Sequence, residues 1–544
     1  MKKFYCFVAL ATLALVSCTS EDYVGDNVNP LKETKNGTAI VFSSVANQNL
    51  TRAAGTAEDA QRLGYSFAVY GTKTVGTTTS NVFAQGEYSD TNNTPYWVWY
   101  EESSALHTTS NTYNWEYVGA SEDKTIPGGT FALPADQTIK YWDYSASQYD
   151  FIAYKATSAE APTISNVTNS GFTVTATAEQ LAGLYIADKK VITDKNNAPG
   201  FPNTTIADNI GDVVQFTFRA GGAKVRLGIF ETIPGYAVSA ITFHYNNSTS
   251  TTEAGLDGSF VGASSGSQSF TVTYDETTKK AILTGANTAN TSYFDFGSFT
   301  VSTSTPLGET STTPTWATGT TNYTNVLPNS SNVGPMTLAV DYTLYNATTQ
   351  ETINVTGAKA VVPSNYMKWN PNFAYTYLFK ISDNTNGTTG TVGTSPEGLY
   401  PITFDAVAIA NQDATEGSIT TVSTPAITTY QEGSVSSAGI TYAVNEKPIY
   451  VTINTDGTLA TLNATNTKLF TVAEGTSEAE LQLDAVTKTA TSVLSVLSAN
   501  ETVNSTTFES GKAVKFTPSA AGTYAIEYTD ENSVKHYKVI VVVS

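Results

Sequence analysis

Apolar and polar residues alternate in many short runs along the chain, and this two-residue period is typical of β-strands. Stretches rich in Gly, Asn, Ser and Thr separate the runs, as the turns of an all-β sandwich do. A helical pattern covers only about one turn, at 57–63. The pattern therefore predicts an all-β protein, with strands that include 39–42, 65–70, 149–154 and 214–218.

Two segments carry more specific predictions about how these strands connect. A second alternating run at 225–229 follows 214–218, and the four residues Ala220-Gly221-Gly222-Ala223 between them predict a hairpin connection. Further along, the segment 361–381 begins with a turn-rich aromatic part that leads into another strand.

The length of the chain predicts several domains. A chain of 544 residues is too long for a single hydrophobic core, and we expect two to four domains. The boundaries indicated by the pattern give domains at 37–212, 213–416 and 417–544. Cysteine occurs only at Cys6 and Cys18, so disulfides do not stabilise the body and its apolar cores must do so.

Charge and motifs exclude several classes of function. The formal net charge of −20 argues against nucleic acid or an anionic membrane surface as a partner. No nucleophile elbow, phosphate-binding loop or dinucleotide fingerprint is present. The histidines His107, His244 and His536 have no local metal-ligand spacing, and 383–387 lacks the alternating acidic ligands of a calcium loop. We therefore expect no enzyme activity, no catalytic residue, no metal and no cofactor.

The N-terminus has the parts of an export signal. Lys2 and Lys3 precede an apolar stretch at 4–16, which is shorter than the roughly 20 residues that a membrane-spanning helix needs. Ser17 and Cys18 follow this stretch. We interpret 1–17 as a signal peptide and Cys18 as the acyl-acceptor cysteine of a bacterial lipoprotein, the alternative being a generic secretory signal with an incidental cysteine.

The segment that follows Cys18 refines the expected location. Residues 18–36 form a polar tether, and its acidic beginning at 19–23 resembles the signal that exports lipoproteins to the outer face of the outer membrane in some Gram-negative anaerobes. An ordinary acidic linker is the alternative. Stable anchoring needs more than one acyl chain, which a multiply acylated Cys18 would supply. We expect an outer membrane lipoprotein precursor at the cell surface.

Taken together, the chain over residues 1–416 resembles a fimbrillin, the two-domain pilin of type V pili in Gram-negative gut and oral anaerobes. The resemblance rests on five features, which are the signal ending at Cys18, Leu50-Thr51-Arg52-Ala53 after the first strand, Lys140-Tyr141-Trp142 followed by 149–154, the strand pair from Val214 to Ile229, and the segment from Lys368 to Ile381. It implies two tandem β-sandwich domains and a role in a cell-surface pilus.

The resemblance also implies a route of assembly. An Arg-specific protease would cut the bond between Arg52 and Ala53, and the strand at 38–45 would leave a groove that a strand of another pilin subunit then fills. Ile40 and Phe42 are the candidate residues of the displaced strand that fill the groove. The alternative interpretation makes Arg52 an ordinary surface arginine in a linker.

The last part of the chain departs from the two-domain pattern. Residues 417–544 form an extra unit whose ending resembles the last two strands of a bacterial immunoglobulin-like β-sandwich domain. The terminal run is either a donor strand for a neighbouring subunit, through Val539, Val541 and Val543, or the closing strand of this unit. An added domain suits an accessory or tip subunit that adheres to a glycan or protein on a host or bacterial surface.

Two other functions stay open at the level of the sequence. The first is a monomeric surface lipoprotein that binds glycans by stacking sugar rings on aromatic side chains, whose candidates are Trp97, Trp99, Trp115 and Trp142. Packing of the same tryptophans in the first core is the alternative. The second is a carbohydrate-active enzyme, because two carboxylates that act on a glycosidic bond need only meet in space.

Overall fold

The computed structural model describes residues 38–46, 57–111, 113–118, 124–126, 129–131, 137–155, 161–193, 210–211, 213–244, 254–260, 267–285, 291–317, 323–328, 335–382, 400–411, 420–432, 442–444, 447–455, 457–476, 478–484, 486–491, 494–531 and 533–544.

Strands dominate these residues, and the prediction of an all-β protein is confirmed. The first group of strands is β1 Phe42–Ala46, β2 Ser66–Val75, β3 Thr78–Gln85, β4 Thr94–Tyr100, β5 Trp115–Glu116, β6 Lys124–Ile126, β7 Gly129–Phe131, β8 Gln148–Tyr154, β9 Thr163–Thr168, β10 Gly171–Ala176, β11 Tyr185–Ala187, β12 Lys190–Ile192 and β13 Val214–Ala220. The second group is β14 Ala223–Glu231, β15 Ala237–His244, β16 Ala254–Phe260, β17 Gln268–Tyr274, β18 Ala281–Gly285, β19 Thr291–Gly297, β20 Thr315–Trp316, β21 Thr324–Val326, β22 Met336–Tyr345, β23 Thr352–Val362, β24 Phe373–Ile381 and β25 Ile402–Asn411.

The third group of strands is β26 Thr420–Ser423, β27 Ala426–Gln431, β28 Tyr442–Ala443, β29 Ile449–Thr455, β30 Thr458–Leu459, β31 Thr467–Val472, β32 Thr489–Thr491, β33 Ser495–Val496, β34 Glu501–Val503, β35 Thr506–Phe508, β36 Ala513–Phe516, β37 Gly522–Thr529 and β38 Lys535–Val543. The α-helices are short, and they are α1 Ala57–Arg62, α2 Ala178–Ala182 and α3 Glu478–Gln482. The helical turn predicted at 57–63 is therefore confirmed as α1.

The chain divides into two compact units, and the first comprises residues 1–174, 185–219 and 271–282. Its main sheet runs in the order β1-β13-β11-β8-β2-β3-β4-β5. Burial alternates along β13, where Val214, Phe216 and Phe218 are buried and the residues between them are partly exposed. This alternation follows from the two-residue period of a strand with one face on the core. The core of the unit is rich in aromatic side chains.

Polar contacts attach β9 and the turn after it to the rest of this unit. The side-chain amide of Asn93 donates a hydrogen bond of 2.9 Å to the carbonyl oxygen of Val167, which belongs to β9. Lys189 forms an ion pair of 2.9 Å with the buried carboxylate of Asp150 and donates a hydrogen bond to the carbonyl oxygen of Asn169. These buried polar groups are satisfied, as buried polar groups usually must be.

The second unit comprises residues 175–184, 220–270 and 283–544. One pair of its sheets runs β20-β14-β24-β25-β26 and β15-β22-β16-β19, and a continuous apolar core lies within this part of the unit. The predicted segment 361–381 ends in β24, and its turn is fixed by buried hydrogen bonds. The hydroxyl of Tyr377 accepts a hydrogen bond of 2.9 Å from the Trp369 indole and donates one of 2.6 Å to the carbonyl oxygen of Tyr366.

The last part of the second unit has its own hydrophobic cluster, formed by residues from Tyr442 to Val542. Its sheets run β27-β29-β36-β33 and β28-β38-β37-β31-β32. The small hairpin β34–β35 packs Phe508 on Tyr450, with ring centroids 4.4 Å apart and nearly parallel planes. The boundary after residue 212 and the one after residue 416 lie outside the described residues, and the three-domain division stays a prediction.

The predicted hairpin at residues 220–223 is wrong. β13 and β14 belong to different sheets, so the glycines do not join paired neighbours. A Cβ atom added to Gly222 would lie 2.9 Å from the backbone nitrogen of Ala182. The glycine is therefore required for close backbone packing rather than for a hairpin turn.

The segment 140–142 forms a single bridge rather than a strand. Tyr141 pairs with Ala39 in an antiparallel β-bridge. The amide of Trp142 donates a hydrogen bond of 2.9 Å to the carbonyl oxygen of Thr38. The segment therefore flanks the first residues of the chain that the structure describes.

Candidate functional site

The first strand, β1, is buried on both of its faces. It stands at one end of its sheet and pairs in parallel with β13, so that Phe42 lies opposite Val214 and Ser44 opposite Phe216. Every residue from 39 to 44 is buried. Since both faces are covered, the strand fills a slot in the first unit instead of lying on its surface.

The side chain of Phe42 is surrounded by aromatic rings in this slot. Its ring centroid lies 4.9 Å from that of Phe83 and 5.7 Å from that of Phe216, and neither Ile40 nor Phe42 is exposed at all. We call the slot the β1 groove and define it by the rings around Phe42, which are those of Phe67, Phe83, Tyr117, Phe151 and Phe216. Such aromatic pairs contribute about 0.5 to 1.5 kcal/mol each beyond the area they bury.

Backbone hydrogen bonds hold Ile40 and Val41, which lead into β1, from two sides. The amide of Ile40 donates to the carbonyl oxygen of Lys140 at 2.8 Å, and the carbonyl oxygen of Val41 accepts from the amide of Val214 at 3.0 Å. The hydroxyl of Tyr117, a buried side chain, donates to the carbonyl oxygen of Ile40 at 2.9 Å. A strand in this position must therefore present its backbone groups in one register.

The segment beside Ile40 is itself anchored by Asp143. Its carboxylate accepts hydrogen bonds from Lys73 at 2.6 Å and from Ser145, and the Lys73 contact is the main reason that the pKa of Asp143 falls to about 2. The amide of Asp143 donates to the hydroxyl of Tyr149 at 2.6 Å. Burial raises the pKa of Tyr149 to about 12, so its hydroxyl keeps its proton well above neutral pH.

Ser44 is the one residue of β1 whose polar atom is known to lack a partner. Its side chain is fully buried, and its Oγ makes no hydrogen bond within the described part of the chain. Its neighbour across the sheet is Phe216, which belongs to the aromatic core. A buried hydroxyl without a hydrogen bond is costly, because folding removes it from water without compensation.

Helix α1 contributes to the same core. Ala60 of α1 and Leu63 just after it are fully buried in the cluster that contains Ile40 and Phe42. The predicted processing site at Arg52 and Ala53 lies outside the described residues, between β1 and α1, and so does the predicted lipidation site at Cys18.

The candidate donor residues Val539, Val541 and Val543 lie on β38, which pairs along its length with β37. Val539 and Val541 are half-buried, and Val543 is exposed. β38 contributes Ile540 and Val542 to the last core, and Val539 packs against a smaller cluster that contains Leu481. The terminal strand therefore completes a sheet of its own unit, and its role as a donor stays a prediction.

The tryptophans proposed to stack on sugars lie mostly in the interior. Trp115 is fully buried, and Trp99 and Trp142 are each 2% exposed. Trp142 packs edge-on against Tyr149 at 4.7 Å and Trp115 against Phe67 at 4.8 Å. These contacts place Trp115 and Trp142 in the first core, whereas Trp97 is half-buried and lies outside the core cluster.

Sequence reasoning placed Ile40 and Phe42 in the groove but missed two residues that complete it. Tyr117 stands in an aromatic-rich stretch of the sequence, and its partner Ile40 lies 77 positions away. Ser44 follows Phe42 by two positions, so strand periodicity places both on one face. The sequence therefore did contain a signal that a polar residue, Ser44, shares the apolar face of Phe42.

Two features are absent from the described part of the chain. Its helices are too short and too polar to span a bilayer. Its His, Cys, Asp and Glu side chains form no cluster of three that could hold a metal ion.

No family model and no curated protein matches the sequence. Solved structures with a similar arrangement include a candidate cell adhesion protein of Parabacteroides distasonis, with 9% identity and a TM-score of 0.33 over 64% of this chain and 94% of that one. A candidate cell adhesion protein of Bacteroides uniformis matches with 12% identity and a TM-score of 0.26, over 69% of this chain and 97% of that one. A candidate adhesin of Bacteroides ovatus matches with 10% identity and a TM-score of 0.24, over 71% and 95%.

Proposed function

We propose that this protein is an adhesive or structural subunit of a cell-surface pilus, exported as a lipoprotein and assembled by strand exchange after proteolysis. The observation that carries the proposal is the position of β1. This strand is short, comes first among the described strands, and fills an aromatic groove beside β13, which begins only at Val214.

The position of Arg52 allows a single cut to separate β1 from the rest of its unit. Arg52 follows the last residue of β1, Ala46, by six positions and precedes α1 by five. A cut at the Arg52–Ala53 bond would leave β1 bound only by non-covalent contacts. Losing the covalent link also loses the high effective concentration that keeps the strand in the groove.

The pairing of β1 with β13 also favours replacement of β1 by a strand from another subunit. It lies at the end of its sheet and pairs with β13 in parallel, and parallel pairing is slightly less stable per residue than antiparallel pairing. An empty β1 groove would expose aromatic surface and unpaired backbone groups of β13. Both are satisfied when a strand from another subunit adds to the sheet edge, which is the physics of β-augmentation.

The lipid on Cys18 has a defined part in this proposal. It holds the precursor at the outer membrane until the protease acts, and cleavage at Arg52 then separates the body from its anchor. The last part of the chain has a core of its own, which suits an accessory or tip subunit that presents an adhesive surface to a glycan or protein. No enzymatic role is included.

Digestion with an Arg-specific protease tests the proposal. Wild-type protein is expected to lose one N-terminal fragment and then to form a ladder of polymers that survives a denaturing gel run without heating. The matched control is Arg52→Gln, which keeps a long polar side chain but removes the cleavage site. A trimmed wild-type protein that stays monomeric and binds a polysaccharide would instead favour the glycan-binding lipoprotein.

A further inference from the structure

The hydroxyl of Ser44 is an unmatched polar group in a strand that otherwise fits its groove. The residue is fully buried, its Oγ has no hydrogen-bond partner in the part of the chain that the structure describes, and Phe216 lies opposite it. Ile40 and Phe42, by contrast, are apolar and fully buried in the aromatic cluster. The mismatch therefore lies at Ser44.

Another buried serine in the same unit has a hydroxyl with a hydrogen-bond partner. Ser110 is also fully buried, and its Oγ donates a hydrogen bond to the carboxylate of Glu116. Glu116 accepts further bonds from Thr108 and from the amide of Tyr117, so that whole cluster is satisfied. Ser44 has no such arrangement around it.

We infer that Ser44 makes β1 bind its groove less tightly than the groove allows. A small apolar side chain at this register would bind the groove more tightly. The inference rests on the proposed function in one respect. It identifies the incoming strand, from a second subunit, as one that carries a small apolar residue such as alanine where β1 carries Ser44.

The physical argument compares the two side chains in both states. In the unfolded or displaced strand the serine hydroxyl is hydrated, whereas in the groove it has lost water and gained no partner. Alanine differs only by the missing oxygen and loses no hydrogen bond when it enters the groove. A resident strand with serine therefore holds the precursor together yet yields to a better-matched strand.

The first test uses the uncut full-length chain and does not depend on strand exchange. Hydrogen exchange of the peptide that contains β1 is measured for wild type, Ser44→Ala and the control Ser110→Ala. We expect Ser44→Ala to slow exchange of the β1 amides about fivefold to tenfold. The control is expected to give no such slowing, because it removes a satisfied hydrogen bond. Equal or faster exchange of β1 in Ser44→Ala would overturn the inference.

The second test uses the same proteins after Arg-specific cleavage, with a synthetic peptide of residues 38–46 in excess as a trap. The resident fragment is expected to leave cleaved Ser44→Ala about fivefold to tenfold more slowly than cleaved wild type. Equal release rates would contradict the role of Ser44 while leaving strand exchange intact. A wild-type fragment that never leaves would contradict the proposed function, and the exchange rates of the uncut chain would still decide the role of Ser44.

Discussion

The hydroxyl of Tyr117 joins Ile40, two residues before β1, to the segment beside it. It donates a hydrogen bond of 2.9 Å to the carbonyl oxygen of Ile40 and accepts one of 3.3 Å from the amide of Lys140. Tyr117 is fully buried in the core and therefore has little freedom to move away. The side chain thus fixes the register of whichever strand occupies the groove.

Replacing Tyr117 with phenylalanine should loosen β1 without emptying the groove. The change leaves the carbonyl oxygen of Ile40 without this donor, which costs about 1 to 3 kcal/mol for a buried group. Hydrogen exchange of the β1 peptide should become faster by at least fivefold. The control is Tyr100→Phe, whose hydroxyl accepts only from Asn114 among the bonds described. Unchanged exchange of β1 in Tyr117→Phe would show that this hydrogen bond does not hold the strand.

Phe42→Ala should destabilise the first unit strongly. The substitution removes a ring that is fully buried among five other rings, and Phe-to-Ala changes in cores cost about 3 to 5 kcal/mol. Urea unfolding followed by tryptophan fluorescence measures the effect. Phe373→Ala is the matched control, because Phe373 is 37% exposed, and it should cost far less. Similar midpoints for the two variants would contradict the account of the groove.

The stability of the second unit should depend on the ionisation of Glu231. Burial raises the pKa of this carboxyl from 4.5 to about 6, with a smaller contribution from Glu309. Between these two values the folded protein binds more protons than the unfolded chain, so stability falls as the pH rises through this interval. The charged form is therefore disfavoured in the folded protein at pH 7.

Glu231→Gln should stabilise the protein at pH 7 by up to about 2 kcal/mol, the free-energy equivalent of the pKa change. The gain should disappear at pH 4, where the wild-type carboxyl is protonated in the folded protein. Thermal unfolding at both pH values measures it. Glu276→Gln removes the same charge from an exposed turn and should show neither the gain nor its pH dependence. A gain of equal size at pH 4 would rule out ionisation as its cause.

Val541→Asp should leave the last core intact. Val541 is half-buried on the face of β38 opposite the buried Ile540 and Val542, so an aspartate there keeps its carboxylate out of the last core. Because those two residues pack in the core of their own unit, we expect β38 to stay in its sheet and Val541→Asp to form polymer ladders like wild type. Ile540→Asp, the control, should unfold this part. Loss of ladders in a folded Val541→Asp protein would instead assign the donor role to β38.

The sequence predicts local elements well and long-range partners poorly. The alternation of Val214, Phe216 and Phe218 predicts β13 because the period of a half-buried strand is local. The Gly221-Gly222 pair was misread as a hairpin because its cause, the approach of the Ala182 backbone, comes from a different part of the chain. Tyr117 escaped notice for the same reason, since nothing near it in sequence indicates Ile40 as its partner.

The most direct test of the account follows the fate of the strand after cleavage. Protein cleaved at Arg52 is allowed to polymerise, and mass spectrometry of the separated polymer and free fractions measures where the fragment that contains Ile40 and Phe42 resides. The account predicts that one fragment is released for each subunit whose groove is filled in the polymer. Polymers that retain the fragment in full would contradict it, because their grooves would still hold β1.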